Sequence, residues 1–475
     1  MYNSKLYTIL QHFDKYEQNR CRKYIQSPYF NRSEELITLF DLFVKDINKP
    51  KSKGLERERI WKKIQPSKKY DDVRFRKYCS DLLKLVENFL AYENYSKDDI
   101  RQTVDLMTAL SRKKIPELYR TAIRVANRQI EKQKYRAASY YYDKYKIENN
   151  LYLLTEYETN RYEKSNIENI SYNLDIFFLA EKLRFLCAAI AQKPLIDHKY
   201  QFHFTEQIIT HLATFDYENY PPVALYYQIY LTLTERENED HFYKLKMLLD
   251  KYGLLFPPEE AKDVLYNAAI NYCVGKINKG NHKFMNELFN IYEDLINKEI
   301  IFAEGQLTPW HFKNIVVIAL RLGKYKWSEN FIKNYSDKLP ESFRNNAVTF
   351  NLAQIYFHQK QHEKVLEQLR NVEYEDVAYN LGSKAMLIST YYEMDEVEPL
   401  YSLLESFRTY LNRHKHDISQ NRRQNHANLI KYTKRLLRIM PGDKKSIEKL
   451  KKEINETKNV TGANWLKEKI AELEG

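Results

Sequence analysis

The sequence predicts an all-α protein, and two observations support that prediction. The 475 residues include only 10 glycines and 13 prolines, so few positions can adopt the positive φ angles that tight β-turns require. Apolar residues recur at three- and four-residue steps along most of the chain, which is the spacing of one face of an α-helix. Because the chain is too long for a single core, we expect several domains or a repeat array.

The first 97 residues are predicted to form an N-terminal helical module. Its clearest helix runs from Asp71 to Tyr95, with Asp71 or Asp72 as the N-terminal cap. The apolar residues of that helix are three or four positions apart: Tyr78, Leu82, Leu85, Val86 and Phe89. A second helix is predicted from Ser33 to Phe43, opened by a capping box between Asn31 and Glu34. Residues 98–440 are then predicted to form a helical-repeat region, and residues 441–475 a C-terminal helical cap.

Tyrosine is abundant in this chain, with 40 residues against 23 phenylalanines and 4 tryptophans. In residues 140–154 the tyrosines and aliphatic residues form two stripes of a helix, one of Tyr141, Tyr145 and Tyr152, the other of Tyr140, Ile147 and Leu151. A helix that is apolar on two sides is covered on two sides, as in a stacked array. We therefore predict that most tyrosines fill the core and direct their hydroxyls to its rim.

Three similar units follow one another between residues 308 and 411. Their first helices are anchored at Ile315, Leu352 and Leu387, which are 37 and 35 residues apart. Their second helices are anchored at Ser328, Val365 and Leu400. These units resemble the tetratricopeptide repeat, a helix–turn–helix of about 34 residues, and the segment NLAQIYFHQKQHEKVLEQL (351–369) is the closest match. The bulky Val365 and Leu400 stand where that repeat has a small alanine, so the helix spacing must adjust there.

The resemblance implies a tetratricopeptide-like α-solenoid, whose C-terminal cap docks the segment NWLKEKIAELE (464–474) through Trp465, Leu466 and Ile470. It also predicts that Leu352, Tyr356 and Leu369 are buried between the two helices of one unit. The alternative is a compact helical bundle in which the repeat-like spacing is incidental.

Motifs of the common enzyme classes are absent from the sequence. The sequence contains no G-x-G-x-x-G loop, no complete Walker A loop and no H-E-x-x-H pattern. The four cysteines are scattered, and we interpret His358 and His362 as packing or solvated residues rather than zinc ligands. We therefore predict no enzyme activity, no catalytic residues, no cofactor and no metal. Neither a signal peptide nor a membrane-length apolar stretch is evident, so we expect a cytoplasmic protein without membrane contact.

Positive charge is concentrated in two segments, although the whole chain carries only +12. Residues 49–77 hold twelve basic and four acidic residues, and residues 412–452 hold thirteen basic and three acidic residues. Clustered cations attract polyanions and acidic proteins. In the second segment the candidate site for an anionic partner comprises Arg413, Arg422, Arg423, Lys431, Lys434, Arg435 and Arg438. The alternative is a basic face that is merely solvated.

These features lead to two main functional hypotheses, with an enzyme whose site no motif identifies as a third class. The first is a protein-interaction scaffold that holds a partner protein or peptide on the concave face of a helical-repeat array. The second is a nucleic-acid-associated factor that binds RNA or DNA through segments 49–77 and 412–452. The tyrosines are densest outside both basic segments, so they do not form the mixed aromatic and basic surface that is typical of single-strand binding.

Overall fold

The structure is a computed structural model that describes residues 4–49, 56–155, 165–193, 198, 200–302, 305–369, 377–457 and 459–474. The regular secondary structure of the described residues is helical, with no β-strand, so the predicted all-α class is confirmed. None of the described helices is long and apolar enough to cross a membrane. The chain divides into two compact units, the first formed by Met1–Lys134 and Ala138–Phe178, the second by Tyr135–Ala137 and Leu179–Gly475.

The first unit contains eight helices and the beginning of a ninth within its described residues. Their bounds are α1 Lys5–Gln11, α2 Lys15–Gln26, α3 Glu34–Ile47, α4 Arg57–Ile64, α5 Asp72–Ser96, α6 Asp99–Lys113, α7 Pro116–Lys132, α8 Ala138–Thr155 and α9 Ile167–Gln192. One core lies among α1–α5 and includes Trp61, Phe75 and Phe89. A second core lies among α6–α8 around Met107 and Tyr119.

The predicted helices of the N-terminal region are present, but one of the predicted caps is wrong. The side chain of Asp71 accepts a hydrogen bond from the backbone N–H of Arg74, so the predicted cap of α5 is confirmed. Helix α3 begins at Glu34 with Ser33 as its N-cap residue. Asn31 instead accepts a hydrogen bond from the N–H of Ser33, because it lies two residues before the N-cap position. The predicted capping box between Asn31 and Glu34 therefore does not form.

The second unit contains the remaining helices. Their bounds are α10 Thr205–Thr214, α11 Pro221–Thr234, α12 Asp240–Tyr252, α13 Pro258–Glu260, α14 Asn267–Asn278, α15 Phe284–Asn297, α16 Pro309–Arg321, α17 Tyr325–Tyr335, α18 Glu341–His358, α19 His362–Leu369, α20 Val377–Glu393, α21 Val397–Arg413, α22 Gln420–Leu436, α23 Lys444–Glu456 and α24 Ala463–Glu474. A π-helical turn, Ala261–Tyr266, joins α13 to α14.

Successive helices of the second unit pack as hairpins: α11 with α12, α14 with α15, α16 with α17, α18 with α19, and α20 with α21. The first helices of the later hairpins also pack on one another, α16 on α18, α18 on α20 and α20 on α22. Gly382 permits one of these contacts, because a Cβ atom there would lie 2.8 Å from Cζ of Phe350. Each hairpin from α16 onwards thus covers the one before it.

Three successive hairpins, from α16 to α21, share one turn geometry, which the α14–α15 hairpin also has, with Gly280 at 93° and the N–H of Asn281 donating to the carbonyl of Lys276 (3.0 Å). A residue with positive φ ends the first helix: Gly323 (71°), Lys360 (59°) and Asp395 (57°). The next residue donates its N–H to the carbonyl five positions earlier: Lys324 to Ala319 (2.9 Å), Gln361 to Tyr356 (2.8 Å) and Glu396 to Tyr391 (2.9 Å). This is the Schellman arrangement of a helix C-terminus. The three turns are 37 and 35 residues apart, the same intervals as the anchors at Ile315, Leu352 and Leu387.

The predicted burial within α18 and α19 is correct for one residue of three. Leu369 is buried, whereas Leu352 and Tyr356 are only half-buried. The buried residues of α18 are instead Ala347, Phe350, Asn351, Ala353 and Ile355. Because α18 packs against α16, α17, α19 and α20, its buried surface is wider than the single stripe that the sequence pattern assumed.

The C-terminal helix α24 docks on the preceding helices. Leu466 and Ile470 are buried in one cluster with residues of α20–α23, and Trp465 packs against that cluster. The indole N–H of Trp465 donates to Glu393 of α20 (2.9 Å), and the ammonium of Lys469 lies 2.8 Å from the same carboxylate. The side chain of Lys469 is only 5% exposed.

Candidate anionic-partner site

Helices α21 and α22 carry most of the predicted site, and local sequence explains why each forms. Helix α21 has Glu398 in its first turn and Arg413 in its last turn, which complement the helix dipole. Its buried face is apolar at three- and four-residue steps: Leu400, Leu404, Phe407 and Leu411. Helix α22 buries Leu429, Ile430, Tyr432 and Leu436 and carries Lys434 and Arg435 in its last turn, where cations are favourable.

A cleft of about 410 Å³ lies between α21 and α22. We call it the α21–α22 cleft. Its cationic lining is formed by Arg408 of α21 and by Arg423, Lys431 and Lys434 of α22. Its apolar lining is formed by Leu411, Ala427 and Ile430, with the amides of Asn412 and Gln424 beside them. On α22 the lining residues are three or four positions apart, so one face of that helix presents all of them.

Two carboxylates compensate part of this positive charge. Glu405 forms an ion pair with Lys434, and the guanidinium of Arg408 lies 4.0 Å from the Glu405 carboxylate. The hydrogen bond and the charge of Lys434, with the charge of Arg408, hold the pKa of Glu405 below its ordinary value. Glu453 of α23 pairs with Arg435 and lies 3.9 Å from Lys431. The hydrogen bond from Arg435 likewise lowers the pKa of Glu453. Both carboxylates therefore stay ionised at neutral pH, and four lining cations face two anions.

The structure brings together three of the seven predicted residues, Arg423, Lys431 and Lys434, in the α21–α22 cleft. Arg435 is directed to Glu453 instead. The other three are exposed and are not part of the cleft lining: Arg413, Arg422 and Arg438. Sequence reasoning missed Arg408, because it lies outside segment 412–452 and close to Glu405. Its position four residues before Asn412, on the face that α21 turns to α22, is apparent only after folding.

The first turn of α22 is electrostatically unusual. It contains Arg422 and Arg423 and has no acidic residue. Cations at a helix N-terminus oppose the helix dipole and cost about 0.3–1 kcal/mol each. Arg423 has no ion-pair partner among the described residues, and neither has Arg422. These two arginines therefore do not stabilise the helix through local electrostatics.

His426 lies one turn after Arg422 and is buried against the ring of Phe407, with 5.5 Å between ring centroids. Burial, followed by the positive charges of Arg422 and Lys313, lowers its pKa to about 4. Nδ1 of His426 has no hydrogen-bond partner within the described structure. The side chain is neutral at physiological pH and adds no charge to the basic surface.

The first basic segment, residues 49–77, belongs to the first unit, and its residues 50–55 lie outside the described residues. Several of its described cations are engaged with nearby carboxylates. Arg57 lies 2.9 Å and Arg76 2.6 Å from Asp72, and Arg59 lies 2.8 Å from Glu56. Both carboxylates belong to the same segment, so these pairs leave its net positive charge unchanged.

Comparison with protein-family models, with curated proteins and with solved structures finds no match for this chain. Across the described ranges, no group of three histidine, cysteine, aspartate or glutamate side chains has the arrangement of a metal site. The four cysteines are free thiols; burial raises the pKa of each, to about 11 for Cys79 and about 12 for Cys21 and Cys187. These thiols are therefore protonated at neutral pH.

Proposed function

We propose that this chain is a non-enzymatic interaction scaffold of tetratricopeptide-like helical repeats that binds an acidic segment of a partner protein in the α21–α22 cleft. The observation that carries the proposal is the cleft itself, which combines four cationic side chains with an apolar lining. The recurrence of one Schellman turn at 37- and 35-residue intervals supports the repeat assignment. So does the packing of α16, α18, α20 and α22 on one another.

An acidic, partly apolar peptide fits the lining of this cleft better than a nucleic acid does. Leu411, Ala427 and Ile430 offer apolar contacts to the aliphatic side chains of a peptide. A phosphate backbone has no such side chains. No aromatic residue is part of the lining among the residues that the structure describes, so bases find no ring there on which to stack. Glu405 and Glu453, both ionised, would repel closely spaced phosphates. A peptide can direct its carboxylates to the cations and keep its other side chains on the apolar surface.

The proposal also includes a cytoplasmic location. Free, buried cysteines are compatible with the reducing conditions of that compartment.

Fluorescence anisotropy with a defined probe tests the proposal. The probe is a short fluorescein-labelled peptide rich in glutamate with interspersed leucine, and the control peptide has glutamine at every glutamate. We expect the acidic peptide to bind and the glutamine peptide to bind at least about tenfold more weakly, a difference of about 1.4 kcal/mol. A labelled single-stranded oligonucleotide is titrated in parallel at several salt concentrations, because phosphate contacts give a steep salt dependence.

Arg423→Glu is the most informative variant, because Arg423 lines the cleft and has no ion-pair partner within the described structure. Arg438→Glu is the matched control, being exposed on the segment that follows the same helix but outside the lining. Reversing Lys434 or Arg435 is less informative, since each would also break an ion pair with a glutamate. Binding of the acidic peptide should fall about tenfold or more in Arg423→Glu and little in Arg438→Glu. Oligonucleotide binding that exceeds peptide binding and is lost in Arg423→Glu would support the nucleic-acid alternative instead.

A further inference from the structure

Helices α15 and α17 enclose a second, chemically different groove of about 200 Å³. We call it the α15–α17 groove. It is independent of the α21–α22 cleft and shares no lining residue with it. The lining residues that matter for the argument are Glu293, Asn297, Trp327, Asn330, Asn334 and Tyr335. Trp327, Phe331 and Tyr335 follow one another at four-residue steps on α17, so the three rings form one stripe along the helix.

The aromatic stripe is held rigidly by ring contacts. The rings of Trp327 and Phe331 are nearly parallel, at 6°, with centroids 5.3 Å apart. Tyr335 lies 5.1 Å from Phe331 and stacks on Phe302 at 5.8 Å. Phe289 meets Trp327 edge-on at 4.8 Å. Because each ring has at least two aromatic neighbours or a buried partner, the stripe is preorganised and loses little freedom when a ligand binds.

The polar side chains of the groove have no hydrogen-bond or ion-pair partner among the described residues. The side-chain amides of Asn297, Asn330 and Asn334 make no hydrogen bond with the described residues, and all three are exposed. Glu293 is half-buried and has no ion-pair partner among the described residues. Glu293 is the only charged residue in the described lining of this groove. A carboxylate beside aromatic rings and amide oxygens is complementary to a cationic donor.

The same aromatic cluster already attracts cations at its edges. The ammonium of Lys324 lies 4.7 Å from the ring centroid of Phe289, and that of Lys338 lies 5.9 Å from that of Phe302. Within the groove, by contrast, no lysine or arginine contributes to the described lining. The rings therefore favour cations on both flanks of the groove, while the groove itself lacks one.

We propose that the α15–α17 groove binds an arginine side chain from an extended segment of a partner protein. A guanidinium can donate to the Glu293 carboxylate and to asparagine carbonyl oxygens while its plane lies against the aromatic stripe. The remaining amide N–H groups can donate to the backbone carbonyls of the residues beside the arginine. The volume of about 200 Å³ is below the roughly 300–1,000 Å³ of small-molecule sites and suits one long side chain.

Fluorine NMR of the full chain labelled with 5-fluorotryptophan tests this proposal directly, because the chain has only 4 tryptophans. The probes are three blocked tripeptides in which arginine, citrulline or lysine is flanked by glycines. Citrulline has nearly the shape of arginine but no charge, and lysine has the charge without the planar group. Trp327→Phe assigns the resonance. We expect the arginine peptide to shift the Trp327 signal alone, with at least about tenfold weaker effects from citrulline and lysine.

The variants Glu293→Gln and Glu329→Gln complete the test. Glu293→Gln preserves shape and removes the charge, and should weaken arginine binding about tenfold. Glu329 is an exposed glutamate of α17 outside the groove lining, so Glu329→Gln should bind as the parent does. Unchanged signals from the other three tryptophans show that each variant remains folded. The proposal is overturned if no probe shifts the Trp327 signal, if citrulline binds as well as arginine, or if Glu293→Gln binds normally.

Discussion

At the scale of single residues, the tyrosines show how this chain combines packing with polar contacts. Tyr226 and Tyr266 are almost fully buried, yet their hydroxyls donate to Glu260 (2.6 Å) and Asp294 (2.7 Å). Burial, followed by the nearby carboxylate, raises the pKa of each phenol above its ordinary value. The sequence predicted that tyrosines pack with hydroxyls at the core rim, and these residues agree. Their partners could not be predicted, because they lie 34 and 28 residues away along the chain.

Tyr226→Phe tests the contribution of one such hydroxyl. The variant keeps the ring in place and leaves a Glu260 oxygen without its donor. Hydrogen bonds to charged groups are worth about 1.5–3 kcal/mol, so we expect a loss of that size in the free energy of unfolding. Urea denaturation followed by circular dichroism measures it. Tyr401→Phe is the control, since Tyr401 is 36% exposed. Equal stability of Tyr226→Phe and the parent would show that the hydrogen bond has no net value.

His426 predicts a pH dependence of stability. Its pKa is about 4 in the folded chain and about 6.5 when unfolded. Between these two pH values the unfolded chain therefore binds more protons than the folded chain. The contribution of neutral His426 to the free energy of unfolding is complete above pH 6.5 and decreases as the pH falls towards 4. The slope approaches about 1.4 kcal/mol per pH unit. Thermal denaturation between pH 7 and pH 4 should show a weaker pH dependence in His426→Gln than in the parent.

Other groups also titrate between pH 4 and pH 7. The test therefore compares the pH dependence of stability of His426→Gln with that of the parent, rather than either one with a calculated slope. Burial also lowers the pKa of His311, His358 and His362, and these residues are present in both chains. If His426→Gln and the parent lose stability in parallel, the neutral form of His426 is not stabilised by folding.

At the scale of secondary-structure elements, the residues that end the first helix of each hairpin show which of the turns could be predicted from the sequence. Gly323 occupies a position with φ of 71°, which glycine adopts without steric cost. The sequence LGKYKW around it therefore carries the glycine that is typical of such a turn. Lys360 and Asp395 occupy the equivalent positions with φ of 59° and 57°. Because neither is glycine, only the spacing of the flanking helices predicted those turns.

Exchanges at these turns should have opposite effects. Gly323→Ala places a Cβ in the left-handed region, where ordinary residues are strained by about 1–2 kcal/mol, and should destabilise the chain by about 1 kcal/mol. Lys360→Gly relieves the same strain but adds freedom to the unfolded chain, so a gain of up to about 1 kcal/mol is expected. Chemical denaturation of both variants measures the pair. A stabilising Gly323→Ala would contradict the assignment of the turn.

Burial within α18 shows where pattern reasoning failed. The pattern matched Leu352 and Tyr356 to core positions, whereas the chain buries Asn351, Ala353 and Ile355. Asn351 satisfies its amide N–H by donating to the carbonyl of Ala347 (2.7 Å), so a polar residue occupies a core position. A search for apolar residues at fixed intervals does not identify a buried asparagine. The buried face of α18 was therefore predicted on the wrong side of the helix.

At the scale of the whole molecule, the all-α class followed from composition and periodicity, but the surfaces required the fold. The cationic cleft depends on Arg408 of α21 meeting α22, and the second groove depends on α15 meeting α17. Neither pairing is encoded in a local motif. The docking of α24 was predictable from its apolar residues, but its ion pair with Glu393 was not, since Lys469 lies 76 residues away from it.

Lys469→Met tests how far this ion pair secures the end of the second unit. The variant leaves Glu393 half-buried without its cation, and removing one member of a buried pair costs up to about 3–5 kcal/mol. Lys467→Met is the matched control, because Lys467 is exposed on the same helix. Differential scanning calorimetry should show a lower unfolding temperature for Lys469→Met and little change for Lys467→Met. Identical unfolding temperatures would mean that apolar packing alone holds α24.

The central claim is that an acidic segment of a partner binds between α21 and α22, and photo-crosslinking tests its location most directly. The glutamate-rich peptide used for anisotropy is prepared with benzoylphenylalanine at its centre, irradiated with the full chain, and the crosslinked residues are identified by mass spectrometry. The account predicts crosslinks within α21 and α22 close to Leu411, Ala427 and Ile430, and their loss in Arg423→Glu but not in Arg438→Glu. Crosslinks confined to other helices, or equally strong in Arg423→Glu, would contradict it.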